Sequence, residues 1–280
     1  MAHEKWNEIR ASLHETGERF SELVSAAPDP FAMATDAWTI ADSVAHVAAI
    51  AWMDAILVDP DAAPPPPVPD LFERLPRMNV DAVHELNVVV LDAFAERGLA
   101  ALVDRLRECL AFMHDHTEDR DPSDTVSWIG GAQVTLSGLF GHMINELLLH
   151  GHDIAAALGR PWEIPSRDAS YFFGEFIVGM ANNGVGGLLD GGGRPRARPI
   201  SVEFRSAYTE PVTLRLANGE VTAHPPSAAP DVRLTFDPAA FNLMLFGRMS
   251  KPRAALTRKI VVGGRRPWLL PVFLKTVRVP

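Results

Sequence analysis

Cysteine is nearly missing from this chain. Cys109 is the single one, so no disulfide can form within it and nothing calls for an oxidising compartment. Basic charge is also short: 26 Lys and Arg stand against 35 Asp and Glu, a formal net charge of -9. That argues against nucleic acid as a partner, because phosphate recognition needs a basic face. No uncharged apolar run reaches the ~18 residues of a membrane span. The N-terminal segment Met1 to Trp6 opens on an amphipathic pattern without the apolar core of a signal peptide. No membrane is therefore expected as a partner, and a cytoplasmic location is the default. One segment breaks the acidic balance. Lys251 to Pro280 holds eight Lys or Arg and no Asp or Glu, and reads as a solvated basic tail or a local anion site.

What is present is apolar periodicity. With 280 residues, 47% of them apolar, the chain has material for one large domain or two ordinary ones. Trp6, Ile9, Leu13, Phe20, Leu23 and Val24 form the stripe of a first helix, and Ala27-Pro28-Asp29-Pro30 ends it. Thr39-Ile40-Ala41-Asp42 reads as the capping box of a second helix running to about Val58. Asp59 to Asp70 contains six prolines and predicts a stiff loop. A third helical pattern covers about Asn79 to His114, with Gly98 breaking or bending it. A loop follows over Glu118 to Gly131, and a fourth helix over Val134 to Leu158 stops at Gly159 and Pro161. Four long helices with loops between them predict a four-helix bundle.

The composition then shifts. Asp168 to Leu189 still reads as helix, and Asp190-Gly191-Gly192-Gly193 as a loop, without the strand–loop–helix setting of a phosphate site. Strand-like runs follow at Ile200 to Arg205, Val212 to Leu216, Glu220 to Ala223, Val232 to Phe236 and Lys259 to Val262. Asn218-Gly219 marks a hairpin, and Ala239 to Phe246 a short helix. The fold class is α+β: a helical bundle over 1–164, then a smaller domain over 165–280 with a mainly antiparallel sheet. The boundary is placed between Trp162 and Arg167.

The chemistry concentrates in His142 to Asp153. Positions four apart lie nearly above one another on a helix, so Glu146 and His150 present a carboxylate and an imidazole on one face, with His142 one turn earlier. Apolar neighbours predict that this helix is buried, where a carboxylate is costly unless paired or bound to a cation. His46, on the apolar second helix, is the candidate third donor. Two imidazoles and one carboxylate suit a divalent metal with open positions, zinc above all. Asp42 and Asp153 are placed to orient these groups. The plainer readings are a satisfied core histidine and a simple i,i+4 pair. Cys109, between Leu106 and Leu110, reads as core rather than nucleophile, and His114 and His116 as solvated.

Trp38-Thr39-Ile40-Ala41-Asp42-Ser43-Val44-Ala45-His46 resembles the W-t-v-x-d-v-l-a-H segment of the DinB-like bundle superfamily. Asn145 to Ala155, followed by Gly159-Arg160-Pro161-Trp162, is similar to the mycothiol-dependent maleylpyruvate isomerase family. The resemblance implies a DinB-like metal-binding bundle joined to an α+β domain resembling sterol carrier protein 2. It implies metal ligands at His46, Glu146 and His150, the residues chosen above on physical grounds. It also implies mycothiol, a low-molecular-weight thiol, as cosubstrate: thiolate adds to an activated cis double bond, the adduct rotates, and elimination gives the trans product. Glu146 and His142 are the catalytic candidates, with His142 open as a fourth ligand, a pocket residue or helix filler. Arg205, Arg248 and Arg253 are candidates for holding cosubstrate or substrate, against a solvated role for each.

Three functions compete. The first is a metal- and thiol-dependent isomerase or transferase acting on a small electrophile. The second is a metal-dependent hydrolase whose nucleophile is metal-bound water. The third is an apolar-ligand or lipid binder, with Phe241, Leu243, Leu245, Phe246, Trp268, Leu269 and Leu270 lining a tunnel rather than forming plain core.

Overall fold

Trp6, Ile9, Leu13, Phe20 and Val24 are buried along one face of α1 (Ala2–Ser25), as their spacing predicts. In this computed structural model, which describes residues 2–65, 68, 70–191 and 198–278, five helices follow α1 in the first half. They are α2 (Ile40–Val58), α3 (Leu71–Arg74), α4 (Val83–Ala93), α5 (Leu99–Asp115) and α6 (Leu136–Ala157), with a small hairpin, β1 (Thr125–Ser127) and β2 (Gln133–Thr135), ahead of α6. The bundle is made of α1, α2, α5 and α6, with each of the first two packed on both of the others. Pro66, Pro67 and Pro69 of the proline loop lie outside the described residues.

The capping box at α2 forms as expected. The Thr39 hydroxyl accepts from the Asp42 N–H, and the Asp42 carboxylate accepts from the Thr39 N–H. By length and hydropathy α2 passes for a membrane span, but 78% of that stretch is buried within the protein, and it serves as a core helix.

The helix expected over Asn79 to His114 is two helices. It opens with a 3-10 turn (Val80–Ala82), and α4 ends at Ala93 before α5 starts at Leu99. Arg97 explains the stop: its guanidinium donates to the carbonyls of Leu91, Phe94 and Glu96 and pairs with Asp42 at 2.8 Å. It thereby satisfies carbonyls that a continuing helix would have used. The freed α4 lies against α2.

α6 ends as predicted, with Gly159 in the left-handed region (φ 63). The next helical segment runs as α7 (Ser166–Tyr171), a π-helical stretch (Phe172–Ile177) and α8 (Val178–Asn183). It stops six residues short of the expected Leu189, at Gly184 with φ 113. It also bridges two cores: Phe172 and Phe176 join the bundle core, and Phe173 joins the core under the sheet. At Gly141 of α6 a Cβ would stand 2.8 Å from the Tyr171 carbonyl oxygen, so glycine is what lets α7 cross this closely. Gly192 and Gly193 of the expected loop lie outside the described residues.

The second half carries β3 (Ile200–Arg205), β4 (Val212–Ala217), β5 (Glu220–His224), β6 (Val232–Phe236), α9 (Pro238–Leu245), α10 (Lys251–Leu256), β7 (Ile260–Gly263) and α11 (Leu270–Thr276). The sheet order is β5-β4-β3-β6-β7, antiparallel except for the central β3–β6 pair. Asn218 (φ 55) and Gly219 (φ 90) make the predicted hairpin turn. The basic C-terminal segment is not simply a solvated tail. It forms α10, β7 and α11, and Lys259, Arg265, Arg266 and Arg278 pair with Asp237, Asp231 and Asp81.

Candidate metal centre

α2 and α6 pack side by side, and their inward faces bring His46 against Glu146 and His150. One donor atom from each of the three lies within 4.8 Å of the others, and all three side chains are buried. His46 Nε2 stands 3.7 Å, and His150 Nε2 3.5 Å, from Glu146 Oε2. His142 Nε2 stands 3.7 Å from the other oxygen, Oε1. A single buried carboxylate thus faces three imidazoles.

Burial pushes the Glu146 carboxyl upward, but the close imidazoles of His150 and His46 and the field of His142 outweigh it and hold the pKa well below the ordinary value. Burial lowers the pKa of His46 and of His142. A divalent cation requires an ionised carboxylate and neutral imidazoles of its ligands, and the directions at Glu146 and His46 run that way. The Nδ1 atoms of His142 and His150 are buried without hydrogen-bond partners among the described residues. The donor set and this charge arrangement fit a metal ion.

Aromatic rings fix the imidazoles. Trp38 lies 4.8 Å from the His46 ring and 5.9 Å from that of His150. Trp128 and Phe176 lie 5.4 and 4.8 Å from His142. The cluster opens into a cavity of about 250 Å³ whose walls include Met53, Leu86, Trp128 and Phe246. Asp54 and Arg248 also reach it.

Asp153 stands 3.7 Å from His150 Nδ1, beyond hydrogen-bond range, and is tied instead to Arg248. Burial raises its pKa, yet the neighbouring His152 and the bonds from Arg248 win and lower it. Asp42 has no part in the cluster: it is spent on the α2 cap and on Arg97. Of the three candidate arginines, Arg248 lines the cavity, where the solvated reading fails. Arg205 pairs with Glu203 on the sheet, and Arg253 sits exposed on α10.

The tunnel residues do not line one passage. Phe241 is core under the sheet, Leu245 and Phe246 pack on the bundle core, and Trp268 is exposed. Cys109 is buried, its thiol pushed up to about 12, chiefly by desolvation. His116 is exposed and His114 half-exposed, as the solvated reading expects, the first stacking on Phe112 and the second meeting Arg10. Sequence reasoning missed Asp54. Its signal was an acid eight residues after His46 in an otherwise apolar stretch.

A family model described as the mycothiol maleylpyruvate isomerase N-terminal domain matches residues 9–155, more than half of the chain and the part that contains His46, Glu146 and His150. The chain belongs to this family. Among solved structures, a histidine-to-alanine variant of the mycothiol-dependent maleylpyruvate isomerase is similar at 15% identity and TM-score 0.52, covering 92% of each chain. The structure titled as that isomerase without the substitution is 14% identical over the same shares, with TM-score 0.48. The first likeness supports a common fold, mixed helix and sheet, across both halves. No curated protein sequence matches the chain.

Proposed function

We propose that this chain is a divalent-metal-dependent, mycothiol-dependent isomerase or transferase acting on a small electrophile. The observation that carries the reading is the meeting of His46, Glu146 and His150 at the edge of one cavity, in a chain whose family is named for a mycothiol-dependent isomerase. Those three residues hold the ion, zinc by its donors. When bound, it favours thiolate over thiol and so makes a nucleophile available at neutral pH. Glu146 offsets the cation's charge. His142, 3.7 Å from the free side of that carboxylate, positions it and faces the reacting groups. Trp38, Trp128 and Phe246 exclude water, and Arg248 orients an anionic group on substrate or cosubstrate.

A cytoplasmic setting, where thiols stay reduced, belongs to this reading. So does a division into two units between residues 164 and 165, with α7 and α8 packed between their cores.

The test is elemental analysis of protein purified without chelator, with turnover of maleylpyruvate assayed with and without mycothiol. About one metal per chain and thiol-dependent turnover are expected. Less than roughly a tenth of an equivalent after zinc has been offered would remove the metal site. Hydrolysis of esters or amides without thiol would favour water as the nucleophile.

A further inference from the structure

Asp54 is a buried acid that the chemistry above leaves unused. It lies two turns beyond His46 on α2, about 12 Å further along the axis at 1.5 Å per residue. Its residue is 2% exposed, it borders the cavity that Glu146 and His150 border, and its Oδ2 has no hydrogen-bond partner among the described residues. The influences on its carboxyl are burial and the like charge of Glu146, with no cation among them. A buried, unpartnered polar atom costs about 1–3 kcal/mol and calls for an explanation. An apolar residue would fill this helix position without that cost.

We infer that Asp54 is a recognition subsite of the cavity and takes an uncharged hydrogen-bond donor, a hydroxyl or amide N–H, on the molecule bound at the histidine cluster. The surroundings select against charge. A ligand carboxylate here would meet the charge of Glu146 beyond Asp54, and the apolar walls at Met53, Leu57 and Leu86 penalise an unscreened ion. Burial and Glu146 push the Asp54 carboxyl well above the usual carboxylate range, so an ammonium group gains little there either. A neutral hydroxyl or amide satisfies the orphan oxygen at no such cost. Anionic groups are left to Arg248. The inference rests on the metal and thiol reading and adds a specificity determinant to it.

The test uses full-length protein loaded with cobalt(II), whose thiolate-to-metal absorption band reports thiol binding without turnover. Linear alkanethiols ending in methyl, hydroxyl or carboxylate are titrated over a series of chain lengths. At one length the hydroxyl-ended thiol should bind about three- to tenfold tighter than the methyl-ended one, the worth of one net hydrogen bond. The carboxylate-ended thiol should bind weakest at that length. Asp54→Leu should erase the hydroxyl preference. Asp54→Asn should keep it, since the amide oxygen still accepts. A band with no terminal-group preference at any length in the unsubstituted protein would overturn the Asp54 inference and leave the metal reading standing. Failure to bind cobalt, or cobalt binding with no thiolate band, would overturn the reading itself and this inference with it.

Discussion

Arg248, just past α9, grips Asp153 of α6 with a two-pronged contact across 95 positions of sequence: Nε lies 3.1 Å from Oδ1, and Nη2 bonds Oδ2. The pair ties the second half of the chain to the helix that carries Glu146 and His150. Arg248→Met leaves Asp153 buried without its cation and should lower stability by about 2 kcal/mol, discounted from a fully buried pair because Arg248 is partly exposed. Arg248→Lys restores charge but not the fork. If Arg248 also orients a ligand, the Lys variant should recover most of the melting temperature while KM stays raised. Recovery of both would reduce Arg248 to a clamp.

Glu203, fully buried on β3, accepts at one oxygen from the Nε of both Arg205 and Arg233, each at 2.7 Å. Burial raises its pKa, but the two arginines outweigh that and hold it below the ordinary 4.5. A depressed folded pKa means stability that is present above the unfolded value and lost as pH falls through the folded one. Glu203→Gln should therefore melt below the unsubstituted protein at neutral pH. The gap should close on acidification below 4.5. An unchanged gap at about pH 3 would show that the pair carries no such linkage.

Local signals in the sequence were strong where a residue type has one physical use. Thr39 and Asp42 cap α2, Asn218-Gly219 turns the hairpin, and Gly159 ends α6. The Glu146 and His150 spacing put both groups on one buried face. Features made by distant contacts were not legible. Arg97 ends α4 by reaching Asp42, 55 residues away, so the periodicity of Asn79 to His114 read as one helix. Arg248 carries no mark that separates it from Arg205 or Arg253 until Asp153 is beside it. α10 and α11 are short, begin with or near proline, and pack on the sheet; six or seven residues give too little periodicity to detect.

At Gly141 the obstacle to a side chain is backbone: the Tyr171 carbonyl oxygen and carbon stand 2.8 and 3.0 Å from where a Cβ would be. α7 would have to shift, and with it the π-helical stretch that rests Phe176 on His142. Gly141→Ala should cost about 1–3 kcal/mol, as overpacking does, despite alanine's better helix propensity. Thermal melting checks this. A variant as stable as the parent would mean that α7 yields at no cost and that the close crossing is incidental.

Glu146→Gln isolates the charge at the centre of the cluster. The amide keeps the shape of the side chain and still faces His46 and His150, but it cannot offset a divalent cation. Metal affinity should fall ten- to a hundredfold or more, since losing even an outer partner of a metal ligand costs that much. Metal-free stability should fall only modestly, because Gln keeps the shape and gives up only the attraction between the carboxylate and its imidazoles. If Glu146 is instead a structural partner of the histidines and binds no ion, the substitution lowers the melting temperature and leaves metal content as it was. Metal content by elemental analysis and melting temperature, measured on the same preparation with and without added zinc, separate the two. Added zinc should raise the melting temperature of the parent and not of the variant. Full metal occupancy in the Gln variant would sink the ligand assignment.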